Sequence, residues 1–374
     1  MSFYLSRYAC LKWLEKPCIY HIKRDELYEL DIKAFEFLKT CQDGCETDNK
    51  EFMDYCIKEG ILSSLKDVLK RPPVIKSPEP SLRYLELQIT ERCNLRCRHC
   101  YIKENRPVEL AVMDIEKVLR EFEELQGLRV LISGGEPLLH SEFEKFNEML
   151  PEFFFRKVLF TNGILLNREI LKRLNVDEIQ ISIDGLEKGH DALRGKGTFK
   201  NAMNGLELAI KEGFDVSVAT MVHRDNLDEF DKMDNLFKNL GIKEWNVDVP
   251  CATGRLKDHS ELQLKPEDAG RFLKYGFGGG MHSSLAGFAC GLHLMAVMAD
   301  GRITKCTFYG ENPAGTIKDG LRKCWGRIKP VRLEELKCDC EYIDSCRGGC
   351  RYRAKLLGDE YGKDLYRCEM YKEG

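Results

Sequence analysis

Six runs of strand-forming residues, separated by helical stretches, constrain this chain more than any other feature. The strand candidates are Tyr84–Thr90, Arg129–Ser133, Lys157–Thr161, Glu178–Asp184, Val216–Val222 and Glu244–Val249. Helical patterns lie between them at Ala111–Leu125, Glu142–Phe154, Arg168–Leu174, Lys200–Glu212 and Leu227–Leu240. Strand, helix and strand in this order make parallel neighbours joined by right-handed crossovers. The expected class is α/β. Six units are too few to close an eight-stranded barrel, so the expectation is a partial (β/α)6 TIM-like barrel. Its reactive face belongs at the C-terminal ends of the strands, where the strand-to-helix loops gather.

This barrel is expected to fill residues 81–285 of the 374. Residues 1–70 read as a separate small unit: two short strands within Cys18 to Leu30, a helix capped by Asp31, a turn at Gln42-Asp43-Gly44, and a second helix near Lys50–Lys58 stopped by Gly60. Residues 71–80, RPPVIKSPEP, hold four prolines and read as a semi-rigid linker. Residues 286–374 are rich in Cys, Gly and Arg with little periodicity. Such a segment is expected to bury scarcely any apolar core, with metal clusters as the substitute.

A net charge of -3 gives no electrostatic reason to expect nucleic acid or acidic lipid as a partner. Arg7, Lys12 and Lys16 interrupt the N-terminus where a secretory signal needs an unbroken apolar run. The longest apolar run, Ala286 to Ala299, is broken by His293 and is too short to span a bilayer. A cytoplasmic location is therefore expected. In a reducing compartment, 17 cysteines point to metal ligation rather than to disulfides.

Directly after the first strand run comes Ile89-Thr90-Glu91-Arg92-Cys93-Asn94-Leu95-Arg96-Cys97-Arg98-His99-Cys100-Tyr101. Three thiolates at this C-x3-C-x2-C spacing wrap one iron–sulfur cube from a loop and leave its fourth iron without a protein ligand. Spacing alone also allows a zinc site that recruits His99, or a structural cluster with a distant fourth ligand. The surroundings favour the open cube. The motif after a first strand, with the aromatic Tyr101 after its last cysteine, resembles the radical S-adenosylmethionine (SAM) superfamily. Ser133-Gly134-Gly135-Glu136-Pro137, ending the second strand, is similar to that family's GGEP motif. The resemblance implies that Cys93, Cys97 and Cys100 hold a [4Fe-4S] cluster that binds SAM, and that Gly134, Gly135 and Glu136 bind the methionine amino group. It also implies that Asn162, Ser182 and Arg194 meet the ribose and carboxylate of SAM. Asp184 reads as a ligand contact or as a helix-start cap.

A second cysteine pattern follows: Cys290, Gly301 and Cys306, then Cys338, Cys340, Cys346, Cys350 and Cys368. Its CxC and Cx3C pairs would also suit a zinc ribbon. The seven cysteines together resemble the SPASM domain, which carries two auxiliary [4Fe-4S] clusters in many radical SAM enzymes. Cys338 and Cys340 form C-x-C where the family has C-x2-C, which alters the geometry of that pair. The resemblance implies one cluster on Cys290, Cys306 and Cys350, and another on Cys338, Cys340, Cys346 and Cys368. The first set lacks an evident fourth ligand; Cys324 is the candidate, unless the site is open to substrate. Cys10, Cys18, Cys41, Cys45, Cys56 and Cys251, like Cys324, read by default as buried free thiols, with Cys251 after the sixth strand facing the cavity.

The N-terminal unit resembles the winged-helix RiPP recognition element, which binds precursor peptides by adding them to a sheet edge. The expected activity is that of a radical SAM/SPASM maturase. Such an enzyme cleaves SAM to a 5′-deoxyadenosyl radical, which abstracts hydrogen from a ribosomally made peptide to crosslink or otherwise modify it. Its expected partners are that peptide or protein substrate and a one-electron donor such as a flavodoxin or ferredoxin. Maturation of a protein side chain, or of a haem-like or other small cofactor, is the alternative. A non-catalytic electron carrier or peptide chaperone is a third reading, which the SAM-type Gly134 to Glu136 motif opposes. No catalytic base is evident: the stretch before Cys290, YGFGGGMHSSLAGFA, has no acid, and His282 is only a weak candidate.

Overall fold

Residues that alternate lumen-facing and core-facing side chains build the sheet at the centre of this computed structural model, in which residues 2–46, 49–67, 69–282 and 287–372 are described. The N-terminal strands are β1 (Tyr4–Leu5), β2 (Ala9–Trp13), β3 (Pro17–His21), β4 (Glu26–Glu29) and β5 (Leu62–Ser63). The barrel strands are β6 (Tyr84–Thr90), β7 (Arg129–Gly134), β8 (Arg156–Thr161), β9 (Glu178–Ser182), β10 (Asp215–Met221) and β11 (Glu244–Asp248). They are followed by β12 (Leu294–Val297), β13 (Arg302–Thr304) and β14 (Gly315–Thr316). The large sheet runs β11-β10-β9-β8-β7-β6-β12-β13-β14, and β6 to β11 are parallel throughout.

On β6 the odd positions Leu85, Leu87 and Ile89 join the main apolar core under the helices. The even positions, Tyr84, Glu86, Gln88 and Thr90, face the other way, into the barrel. Helix Val112–Glu124 shows why the helices pack where they do. Val112, Ile115, Val118, Leu119 and Phe122 recur at one-face spacing and are all buried. Cutting the fully buried Phe122 to alanine would cost on the order of 3–5 kcal/mol.

The C-terminal segment departs from expectation. It was expected to bury little, yet Met295, Val297, Ile303, Leu321 and Trp325 enter the main core. The reason is β12, which pairs in parallel with β6 and extends an existing sheet instead of building its own. The expected boundary between residues 285 and 286 lies outside the described residues.

In the N-terminal unit, β2-β3-β4 form an antiparallel sheet, so the hairpin expected within Cys18 to Leu30 has a third strand in Ala9–Trp13. Asp31 caps helix Ile32–Thr40 by accepting from Ala34 N at 2.8 Å. Cys41 and Cys45 are corrected from free thiols to a disulfide: Cys41 ends that helix, and the turn returns Cys45 to a Cα–Cα distance of 4.6 Å. Asp25, in the β3–β4 turn, enters the N-terminal mouth of the barrel. It pairs there with Arg129 and His282, the latter at 3.2 Å. Arg156 lies beside it and binds Glu178 at 2.8 Å and Asp215 at 2.6 Å. Among the described residues no helix is long and apolar enough to cross a membrane.

Candidate active site

The loop that follows β6 carries Cys93, Cys97 and Cys100, and its backbone is tied down at both ends. Gly135 N donates to Thr90 O at 2.8 Å and Glu136 N to Arg92 O at 2.7 Å, laying the end of β7 against the loop. Asn105 Nδ2 donates to Cys93 O at 3.1 Å, and Arg255 Nε to Cys97 O at 2.8 Å. The approach explains the paired glycines. A Cβ on Gly134 would stand 2.5 Å from Thr90 O, and one on Gly135 only 2.3 Å from Arg92 O. No side chain fits there.

The strand ends around this loop gather the other residues singled out in the sequence. Asn162 Nδ2 donates to Asn94 Oδ1, inside the cysteine loop, at 2.7 Å. Arg194 Nη1 stands 3.9 Å from Cys97 Sγ. Ser182 ends β9 on its lumen side and is partly exposed. Glu136 and Asp184 behave differently from expectation, because both side chains are wholly buried. Glu136 braces β7 to β8, accepting from Thr161 Oγ1 at 2.8 Å and Asn162 N at 2.9 Å. Burial raises its pKa to about 7 against those bonds. Asp184 does not cap a helix, since Leu186 holds that position in helix Glu187–Arg194. It accepts from Met221 N at 2.7 Å and ion-pairs with Arg194. Burial opposes its ionisation, but the Arg194 guanidinium holds it well below the usual carboxylate range.

The three cysteines fit an iron–sulfur cube. Burial pushes the Cys93 thiol up to about 12 and raises that of Cys97, so each ionises readily only against added positive charge such as a metal supplies. Burial likewise holds His99 down at about 3, a neutral imidazole whose Nδ1 has no hydrogen-bond partner. Among the described residues no three His, Cys, Asp or Glu converge on a single-ion site.

Further down the lumen, a cavity of about 680 Å³ is lined by Tyr84, Glu86, Asp248, Cys290, Cys306 and Cys350. Cys290, Cys306 and Cys350 lie within electrostatic reach of one another, as do Cys338, Cys340, Cys346 and Cys368. Cys324 is corrected: it sits in helix Leu321–Arg327 within the main apolar core, its Sγ 3.8 Å from Thr316 O. Cys251 is brought toward Cys350 instead: Arg353, three residues past Cys350, donates to Val249 O, two residues before Cys251, at 3.1 Å. His282 is engaged by Asp25 at the opposite mouth from the Cys93 loop. Sequence reasoning missed Glu86, whose lumen-facing carboxyl burial lifts to about 7 while bonds from Thr307 oppose the rise. The available signal was an acid in mid-strand of the otherwise strand-forming run YLELQIT.

Residues 87–237 match the radical SAM superfamily. An AdoMet-dependent heme synthase of Oleidesulfovibrio alaskensis is 24% identical over 81% of this chain and 84% of its own. Mycofactocin maturase MftC of Mycolicibacterium smegmatis is 28% identical over 71% of this chain and 77% of its own. In fold, the chain is similar to Streptococcus suis SuiB bound to precursor peptide SuiA, with a TM-score of 0.68 at 15% identity over 98% of this chain and 100% of SuiB. It is also similar to anSMEcpe with bound AdoMet and Cp18Cys peptide, with a TM-score of 0.62 at 24% identity over 79% of this chain and 96% of that one. The cysteine loop seated on paired glycines at the strand C-termini and the superfamily match across those strands agree: residues 87–237 form a radical SAM domain.

Proposed function

We propose that this enzyme modifies a ribosomally made peptide at the barrel lumen. The observation that carries the reading is the cavity of about 680 Å³ between the barrel strands, at Glu86 and Asp248, and the second cysteine group, at Cys290, Cys306 and Cys350, roomy enough for a side chain. Cys93, Cys97 and Cys100 would hold a [4Fe-4S] cluster, with SAM bound beside it. When bound there, this pair of cofactors supplies a 5′-deoxyadenosyl radical able to take hydrogen from a substrate C–H bond. The chain's own residues bind and orient. The backbone of Gly134 to Glu136 faces the methionine amino group, while Asn162, Ser182 and Arg194 serve the ribose and carboxylate. Asp184 holds the Arg194 guanidinium in place. Arg194 in turn sets positive charge beside the Cys97 sulfur, which favours its thiolate form. Cys290, Cys306 and Cys350, and separately Cys338, Cys340, Cys346 and Cys368, carry auxiliary clusters. A flavodoxin- or ferredoxin-type protein delivers the single electron.

Two observations support a peptide as substrate. Strand β4 pairs only with β3 among the described residues, so its other edge is free to accept an extended chain. The maturase among the relatives aligns over most of its length. A second reading, modification of a haem-like molecule, draws support from the heme synthase relative and from Fe-coproporphyrin III synthase of Methanosarcina barkeri, 29% identical over 76% of this chain.

Anaerobic reconstitution with SAM, dithionite and candidate peptides, read by mass spectrometry, tests the proposal. The expected result is 5′-deoxyadenosine together with a peptide mass change. A porphyrin mass change with none on any peptide would move the assignment to the second reading. Zinc in place of iron at Cys93, Cys97 and Cys100 would end both.

A further inference from the structure

The free cysteines of the described chain divide in space more evenly than in sequence. Apart from the Cys93, Cys97, Cys100 loop, and from Cys10, Cys18, Cys56 and Cys324 buried elsewhere, the thiols form two groups. One is Cys338, Cys340, Cys346 and Cys368. The other is Cys290, Cys306, Cys350 and Cys251, the last arriving from the barrel itself. Cys251 lies just past the end of β11, nearly a hundred positions before its neighbour Cys350.

Arg353 brings them together. It sits one turn into helix Arg351–Leu356, directly after Cys350, and is 5% exposed. Its Nη1 pairs with the Asp248 carboxylate and donates to Val249 O at 3.1 Å, gripping the end of β11. Its Nη2 binds Asp364 Oδ2 at 2.9 Å, and Asp364 Oδ2 also accepts from Cys350 N at 2.7 Å. One buried cation thus clamps the strand that leads to Cys251 against the turn that carries Cys350. With the backbones fixed, Cys251, two residues past Val249, is held near the turn that carries Cys350, and it is 5% exposed.

We infer that Cys251 is the fourth thiolate ligand of the auxiliary cluster on Cys290, Cys306 and Cys350, closing its coordination. The inference rests on the auxiliary-cluster assignment made above and adds a functional consequence. A cluster with a thiolate on every iron has no vacant corner for substrate. Substrate in the adjoining lumen is then held by side chains such as Glu86 and Asp248, and the cluster's part is limited to electron transfer.

The test uses the full chain with Cys93, Cys97 and Cys100 changed to alanine, so that only auxiliary clusters contribute to the spectra. In this parent, iron and acid-labile sulfide corresponding to two cubes are expected, with EPR signals that cyanide, a ligand for open iron, does not alter. Adding Cys251→Ala should remove a corner iron, giving the near-isotropic signal of an oxidised three-iron cluster, or leave an iron that now binds cyanide. Cys251→Ser, which keeps an oxygen ligand and the side-chain volume, should shift the signal of the same cluster without loss of the fold by circular dichroism. Cys324→Ala should behave as the parent. Cys251 variants with the parent's iron content, spectrum and indifference to cyanide would overturn the inference while leaving the auxiliary clusters in place. A parent that binds zinc or no iron would overturn the auxiliary-cluster assignment, and the inference with it.

Discussion

A methyl group on Gly135 has nowhere to go, because the atom it would meet is backbone that the cysteine loop needs for its own seating. Gly135→Ala is therefore expected to displace the loop and lower SAM cleavage at least about tenfold, the effect of a barrier change near 1.4 kcal/mol. Gly326→Ala, where a Cβ meets nothing within 4 Å, should leave activity unchanged; 5′-deoxyadenosine release measures both. At this scale the Cys93 motif and the paired glycines were legible because the chemistry fixes both residue type and spacing. The actual positions of Glu136 and Asp184 were not. Each is a carboxylate in a ligand-binding motif by sequence, but each is turned inward, and only the packing of neighbouring strands reveals it. Cys251 was equally illegible, since nothing local records that Arg353 joins it to a residue so far along the chain. Glu86 supplies a second residue-scale expectation. Its carboxyl faces the cavity beside Cys306, so Glu86→Gln should suppress product formation while SAM cleavage without substrate continues. Equal loss of both would refute a role at the substrate.

Among the elements, β6 to β11 were legible to within two residues, as were most of their helices, because fully buried strands and amphipathic helices write their period into local sequence. Strands β2, β12 and β13 were not. They are short, and their stability comes from partners distant in sequence: β12 exists because β6 has a free edge. The same reasoning applied to β4 gives a prediction. Leu30 N donates to Pro17 O, so, counting back by twos, Tyr28 and Glu26 direct their backbone groups at β3. Leu27 and Glu29 direct theirs outward. Glu29→Pro removes one outward N–H without touching the β3 ladder, and the exposed pair it loses with Lys16 is worth little. If substrate adds to this edge, the KM for peptide should rise about tenfold, the loss expected for one or two main-chain bonds. SAM cleavage in the absence of peptide should be unaffected. A haem-type substrate would leave both quantities unchanged, so this single variant separates the two readings of function.

Across the whole molecule, the N-terminal unit is more than an appendage. Cys10, Leu14, Tyr20 and Ile22 share an apolar cluster with Leu128 and Phe154 of the barrel, and Asp25 fills the mouth between Arg129 and Arg156. Removing the unit would strip this cover and take from the Arg129 guanidinium the carboxylate it pairs with. Loss of activity in such a deletion would therefore not by itself identify peptide capture. The contribution of Asp25 has a defined pH signature. Burial alone would raise its pKa, but the His282 and Tyr20 hydrogen bonds and the two guanidiniums hold it down at about 2, below the ordinary value of 3.8. A carboxylate depressed in the folded state stabilises above its unfolded pKa and loses that stabilisation as pH falls through the folded value. From a difference of this size, ionised Asp25 contributes about 2 kcal/mol near neutrality. The contribution is constant from pH 7 to pH 5, roughly halved by pH 3 and gone below pH 2. Asp25→Asn should lower the unfolding midpoint at pH 7 and pH 5 by the same amount, with the gap narrowing at pH 3. Comparing the two chains at each pH cancels any effect of acid on iron ligation common to both. A gap that stayed constant down to pH 3 would mean that the charge on Asp25 is not what holds the N-terminal unit over the barrel mouth.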